Sequence, residues 1–158
     1  MRTTTRADGA DVYALVAACP PLDLNSCYAY VLWCEHFGAT CVAAEGGQGL
    51  DGFISAYRRP DAADVLFVWQ VAVHPRARGS GLAGEMLSHL LRRESCRGVQ
   101  WLETTVAPGN LASRSLFQGL ARRMGVPLTE QPLFEAAHFG GQAHDDEPLL
   151  RIGPFMPS

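Results

Sequence analysis

The chain contains no lysine: all 13 basic residues among its 158 are arginine. This absence excludes mechanisms that rest on an ε-amine, including the Walker P-loop, the Schiff-base enzymes and the kinase lysine. No apolar run approaches the roughly 20 residues of a membrane-spanning helix. The opening residues, Met1-Arg2-Thr3-Thr4-Thr5-Arg6-Ala7-Asp8, hold no apolar leader, so a cytoplasmic protein is expected. There is no Cys-x-x-Cys, and the five cysteines are an odd number. Neither a disulfide framework nor a metal site is therefore expected. Cys19, Cys27, Cys34, Cys41 and Cys96 read as reduced thiols buried as small hydrophobes. A net charge of -3 leaves no basic field for nucleic acid or membrane lipid.

What is present suits one folded domain over residues 1–158, with 47% hydrophobic residues to build its core. Val12, Leu15, Val16 and Cys19 recur at helical spacing up to Pro20-Pro21. Asn25 reads as the N-cap of a second helix ending at Gly38. Thr40 to Ala44 and Leu50 to Tyr57 read as a hairpin around Glu45–Gly49. The apolar run Val65 to Val73 suits a strand buried on both faces at the middle of a sheet. Gly79 to Glu94 carries the clearest helical stripe. A strand over Val99 to Val106 and a helix from Asn110 to about Met124 follow. The tail holds strands near Pro132 to Ala136 and at Leu149 to Ile152. The expected class is α/β: one layer of mixed, central sheet flanked by helices.

The informative segment is Val71-Ala72-Val73-His74-Pro75-Arg76-Ala77-Arg78-Gly79-Ser80-Gly81-Leu82-Ala83. A central strand runs into an arginine-rich and glycine-rich turn, and the turn opens the best helix. The free N–H groups and dipole of a helix start bind anions. Gly79 and Gly81 remove side chains so that a phosphate can reach the backbone, while Arg76 and Arg78 supply charge. Arg76-x-x-Gly79-x-Gly81 resembles the signature of the GNAT acyltransferases. That resemblance implies a splayed sheet and acetyl-CoA as co-substrate. It implies that the pyrophosphate lies on the turn, with Leu82 and Ala83 at the helix start. The pantetheine arm would lie along Val71 to Val73, with Asn110 facing the arm or thiol. Many members place a thiolate-protonating Tyr where this chain has Phe117, which implies a CoA-arm contact here but no acid.

A closer resemblance runs over nearly the whole chain. It rests on Pro21-Leu22-Asp23-Leu24-Asn25-Ser26, Tyr28 and Tyr30, Phe67 to Val73, Leu102-Glu103-Thr104-Thr105-Val106 and Arg151-Ile152-Gly153-Pro154-Phe155. These segments are similar to those of the diaminobutyrate acetyltransferases of ectoine biosynthesis. The implied reaction is acetylation of the 4-amino group of L-2,4-diaminobutyrate. The expected partner is thus a small diamino acid, with homodimerisation left open.

Chemistry asks for a neutral attacking amine, a polarised carbonyl and a grip on the substrate's other charges. Asp23 is the first candidate for the ammonium, and so for a catalytic role, against a helix-capping alternative. Tyr28 could donate to a carboxylate or simply pack. Trp69 is either a core plug or an aromatic wall for a cation. Glu103, an acid inside an apolar strand, must be paired or functional, as amine ligand or as a base acting through water. His144, in a polar run with Asp145, Asp146 and Glu147, is either solvated or a substrate ligand. Two other readings stay open: another amine as acceptor, or an acyl-CoA-binding module without chemistry.

Overall fold

The computed structural model describes residues 1–156; the last two positions of the expected 1–158 domain lie outside it. The elements are α1 (Gly9–Ala17), α2 (Cys27–His36), β1 (Val42–Gly46), β2 (Gly49–Arg59), β3 (Ala62–Val73), α3 (Leu82–Leu91), β4 (Trp101–Thr105), α4 (Leu111–Met124), β5 (Leu128–Phe134) and β6 (Glu147–Ile152). The six strands form a mixed sheet in the order β1-β2-β3-β4-β6-β5. Two compact units divide the described residues, one of Met1–Arg58 with Val68–Arg97, the other of Arg59–Phe67 with the stretch from Gly98 onward.

In the first unit, Val12, Leu15 and Val16 of α1 share one helical stripe and meet Tyr30 and Cys34 of α2. Ala43, Leu50, Phe53 and Ala72 close this core from the strands. Each large apolar side chain so buried contributes roughly 1.5–3 kcal/mol. β1 and β2 pair antiparallel through the two-residue turn Gly47-Gln48. Gly52 of β2 seats α3, because a Cβ there would lie 2.7 Å from Met86. Arg2 forks onto Asp8, with Nη2 2.7 Å from Oδ1, and this pairing holds the Asp8 carboxyl below the usual carboxylate range. Burial pushes the Cys34 thiol up to about 11 and the Cys41 thiol to about 12.

Four sequence expectations change here. Ser26, not Asn25, caps α2, its Oγ accepting from the Ala29 N–H at 3.1 Å. The helix expected from Gly79 starts only at Leu82, because Gly79 and Gly81 are left-handed, with φ of +78° and +81°. Cys27 is exposed at the first position of α2, unlike the other four thiols. From Leu66 onward β3 is not buried on both faces: Leu66, Val68, Gln70 and Ala72 are buried, whereas Phe67, Trp69, Val71 and Val73 on the opposite face are half-buried.

In the second unit, β6 lies antiparallel to both β4 and β5. β5 runs over Leu128–Phe134, earlier than the strand expected near Pro132 to Ala136, and is an exposed strand. Asn110 caps α4, its Oδ1 accepting from the Ser113 N–H at 3.2 Å. Gly125 ends the same helix in the left-handed conformation.

Candidate active site

The signature turn is held to the start of β2 and leaves its own backbone to a ligand. The His74 N–H donates to the Asp51 carbonyl at 2.8 Å. His74 Nδ1 accepts from the Arg76 N–H at 3.2 Å. Arg76 reaches back with Nε to Asp51 Oδ1 at 2.7 Å and Nη2 to the Leu50 carbonyl at 3.0 Å. The charge expected to meet a phosphate is therefore committed to Asp51, and Arg76 braces the turn. Arg78 is exposed, and its Nε donates to the Val73 carbonyl at 3.2 Å. The first intrahelical donor of α3 is the Glu85 N–H, which reaches the Gly81 carbonyl at 3.1 Å. Leu82, Ala83 and Gly84 thus begin the helix with N–H groups that the helix itself cannot satisfy. Gly81 offers no capping side chain. A Cβ at Gly79 or Gly81 would meet nothing within 4 Å, so the space above the turn is open. An uncapped helix start, open space and the dipole together make an anion cradle.

Ahead of α2 the design is reversed. Asp23 is exposed, yet its carbonyl accepts from Gln70 Nε2 at 2.7 Å. Two residues on, the Asn25 N–H donates to the Tyr30 hydroxyl at 3.3 Å. That hydroxyl donates to Gln70 Oε1 at 3.1 Å. The Asp23 carboxylate stands on a backbone tied into the core, and the capping alternative falls away because Ser26 caps α2. Tyr30 is core, whereas Tyr28, 70% exposed, presents its ring outward on the first turn of α2.

Trp69 stacks on Trp33 of α2, with centroids 5.0 Å apart and planes at 23°. Trp33 also touches Phe37 and Tyr57, so Trp69 ends an aromatic row. It shares the half-buried face of β3 with Val71 and Val73. The structure thereby places Trp69 beside Val71 and Val73, the residues expected to meet the cofactor, on one side of one strand.

In the second unit Glu103 is 1% exposed. Oε2 accepts from Arg59 Nη1 at 2.9 Å and Oε1 from Arg151 Nη1 at 3.1 Å. Arg151 lies opposite Glu103 in the ladder and stacks over Trp101 at 4.0 Å. The paired reading of this acid is therefore realised. Burial without such partners would cost several kcal/mol. Asn110 spends its carbonyl oxygen on the α4 cap and keeps its amide donors for other duty. Arg114 steadies the turn before that helix by donating to the Ala107 and Val106 carbonyls, each at 3.4 Å, and forks onto Glu130 of β5 at 3.0 and 2.7 Å. Phe117 is 2% exposed. Its ring is packed into the core. His144 is half-buried, stacked on Phe139 with centroids 3.7 Å apart, and its Nδ1 lies 2.7 Å from the Asp145 carbonyl. It is thus a held ring, not part of a solvated charge run. Asp146 accepts from the Ala136 N–H at 2.7 Å and ties this loop to its other end.

Sequence reasoning missed Gln70, Asp51, Arg59 and Arg151 as supports. Only Gln70 carried a signal: an amide inside an apolar strand needs hydrogen-bond partners when buried. Among the described residues no cluster of three or more His, Cys, Asp or Glu side chains could hold a metal. Among them too, no helix is long and apolar enough to cross a membrane.

Comparison with known proteins follows the same lines. The model of the acetyltransferase (GNAT) family matches residues 10–121. An L-2,4-diaminobutyric acid acetyltransferase of Bordetella parapertussis is 59% identical over 98% of this chain and 84% of its own. One from Chromohalobacter salexigens is 46% identical over 99% of this chain and 82% of its own. The diaminobutyrate acetyltransferase of Paenibacillus lautus, solved with L-2,4-diaminobutyric acid and coenzyme A, superposes with a TM-score of 0.95 at 44% identity. That match covers 99% of this chain and 95% of the other. With a helix start built for an anion and a family match spanning the stretch that contains it, the chain belongs to the acetyltransferase (GNAT) family.

Proposed function

We propose that the chain, acting as one domain, transfers the acetyl group of acetyl-CoA to the 4-amino group of L-2,4-diaminobutyrate. The observation that carries this reading is full-length likeness to the Paenibacillus lautus enzyme, whose structure holds that amino acid and coenzyme A. In the reaction a C–N bond forms as the thioester C–S bond breaks. One proton leaves the ammonium before attack, a second leaves the same nitrogen as the tetrahedral adduct collapses to the amide, and the sulfur departs as thiolate. The product is the N4-acetyl compound, which places the enzyme in ectoine biosynthesis and osmoprotection. Its five free thiols suit the reducing cytoplasm.

The residues divide the labour by chemistry. The N–H groups of Leu82, Ala83 and Gly84 receive the pyrophosphate, with Gly79 and Gly81 giving access and Arg78 adding charge. Val71 and Val73 line the strand for the pantetheine arm, and the Asn110 amide donates to it. Asp23 pairs with a substrate ammonium. Tyr28 donates to the substrate carboxylate, Trp69 supplies an aromatic face to the cation, and His144 adds a polar contact. Glu103, anchored by Arg59 and Arg151, acts as a fixed acceptor that orients the amine.

An assay for free CoA tests the reading. Turnover with diaminobutyrate and mass-spectrometric identification of the N4-acetyl product are expected. Turnover only with other amines, or CoA binding without turnover, would replace it. With Phe117 in place of a hydroxyl-bearing residue, no enzyme acid protonates the thiolate. The value of kcat/KM then climbs toward the amine pKa, roughly 10, without a falling limb.

A further inference from the structure

We infer that Gln70 is a positioning residue for the substrate side of the active site, acting through the backbone of residues 23–25 in company with Tyr30. The inference rests on the reading of Asp23 as the ammonium ligand.

The carboxamide is buried, 5% exposed, in the middle of β3, and its orientation follows from its partners. The Asp23 carbonyl can only accept, so the group facing it at 2.7 Å is the Gln70 amide nitrogen. The Gln70 oxygen therefore faces the Tyr30 hydroxyl at 3.1 Å, and that hydroxyl must be the donor. Its lone pairs are then free to accept from the Asn25 N–H at 3.3 Å and from Asn25 Nδ2 at 3.5 Å. A single directional chain runs from the Asn25 N–H through Tyr30 and Gln70 to the Asp23 carbonyl. Gln70 is itself fixed, its N–H donating to Ser55 Oγ at 3.1 Å.

The chain closes around one exposed residue, Leu24. It grips the carbonyl before Leu24 and the N–H after it, the two backbone groups that set where the Asp23 side chain emerges. Packing alone would not do this, because neither Asp23 nor Leu24 is buried. A carboxylate on an untethered loop would have to be ordered by the substrate, and that cost would appear as weaker binding. Gln70, from a strand more than 40 residues away in sequence, and Tyr30, from the helix that follows the loop, meet that cost during folding.

The test is steady-state kinetics on Gln70→Glu, Gln70→Leu, Tyr30→Phe and Asp23→Ala, with the double variant Asp23→Ala/Gln70→Leu. Gln70→Glu preserves volume and removes the donor, since an ionised carboxylate only accepts. We expect both Gln70 variants to raise KM for diaminobutyrate roughly tenfold, with KM for acetyl-CoA within about twofold of wild type. Tyr30→Phe raises it roughly threefold. In the Asp23→Ala background, Gln70→Leu adds less than about twofold, because the group it positions is gone. A fall in Tm with both KM values unmoved overturns the inference and leaves Gln70 a structural residue. So does an equal rise for both substrates, or a full multiplicative loss in the double variant. If Gln70→Leu does not fold, Gln70→Glu and Tyr30→Phe decide. If Asp23→Ala leaves KM for diaminobutyrate unchanged, the reading of Asp23 fails and takes the inference with it. A large effect of Asp23→Ala with none from Gln70→Glu overturns the inference alone.

Discussion

The starts of α2 and α3 solve the same local problem in opposite ways. Each helix leaves its first N–H groups without intrahelical partners. At α2 the Ser26 hydroxyl takes up the Ala29 N–H, and the groups offered outward are side chains, Asp23 and Tyr28, on a backbone tied to the core. At α3 no side chain caps the helix, two glycines hold left-handed φ, and the group offered outward is the backbone itself. A capped start suits a small zwitterion that must be recognised charge by charge. An uncapped start suits a pyrophosphate, whose diffuse negative charge meets several N–H groups at once. Electrostatics at a helix terminus is thus a resource that a chain either satisfies internally or reserves for a ligand.

The comparison can be broken hardest at Gly81. Gly81→Glu puts a Cβ at φ +81° and an anion in the cradle. Acetyl-CoA affinity should fall at least about a hundredfold by calorimetry, roughly the 3 kcal/mol expected of strain plus like charge. Near-normal affinity would mean that the turn is not the pyrophosphate site. Next in size is Asp23→Asn, which removes a charged partner worth about 1.5–3 kcal/mol. It should raise KM for diaminobutyrate tenfold or more and spare acetyl-CoA; equal weakening of both would return Asp23 to a structural role. Ser26→Ala tests the capped start. Thermal unfolding should show a loss of about 1 kcal/mol, with acetyl-CoA affinity unchanged.

Asp8 gives the smallest and most useful control, as an acid before a helix whose charge is wholly internal. Its two oxygens accept from Arg2 and from the Thr5 N–H, so Asp8→Asn should cost stability and leave both KM values alone. The folded carboxyl titrates below its unfolded value of about 3.9, so its contribution is present above that pH and disappears as pH falls through the folded value. The Tm difference between wild type and Asp8→Asn should therefore close in acid. A difference that does not shrink as pH falls below the unfolded value would show that the ion pair is not its source.

The two starts also differ in how far the sequence discloses them. The α3 turn is legible because left-handed backbone next to open space leaves glycine as the residue that fits, and the pattern is local. So is the α4 start, where Asn110 follows Pro108-Gly109 and caps as its position suggests. The α2 start misleads, since Asn25 and Ser26 are both good caps and only the chain's direction into the helix chooses between them. Its supports are remote: Gln70 lies 47 positions from Asp23, and no spacing rule links them. Arg76 looked like a phosphate ligand because nothing in its neighbourhood announces Asp51, 25 positions earlier. Glu103 showed that an acid in an apolar strand needs a partner, but not that Arg59 and Arg151 would both serve. Local conformational demands leave a mark in the sequence, whereas partners supplied by topology do not.

The uneven burial of the thiols has a practical consequence. Cys19, Cys34, Cys41 and Cys96 are shielded, and burial keeps Cys34 and Cys41 protonated well above neutral pH. Cys27 stands exposed at the first turn of α2, beside Tyr28. A maleimide dye offered at neutral pH to the native protein should couple once. With no lysine anywhere in the chain, amine chemistry adds only the N-terminus as a second address. The molecule thus comes with one fluorophore position already placed next to the segment proposed to receive the amino acid. Substrate docking could be followed there in real time without altering a single residue.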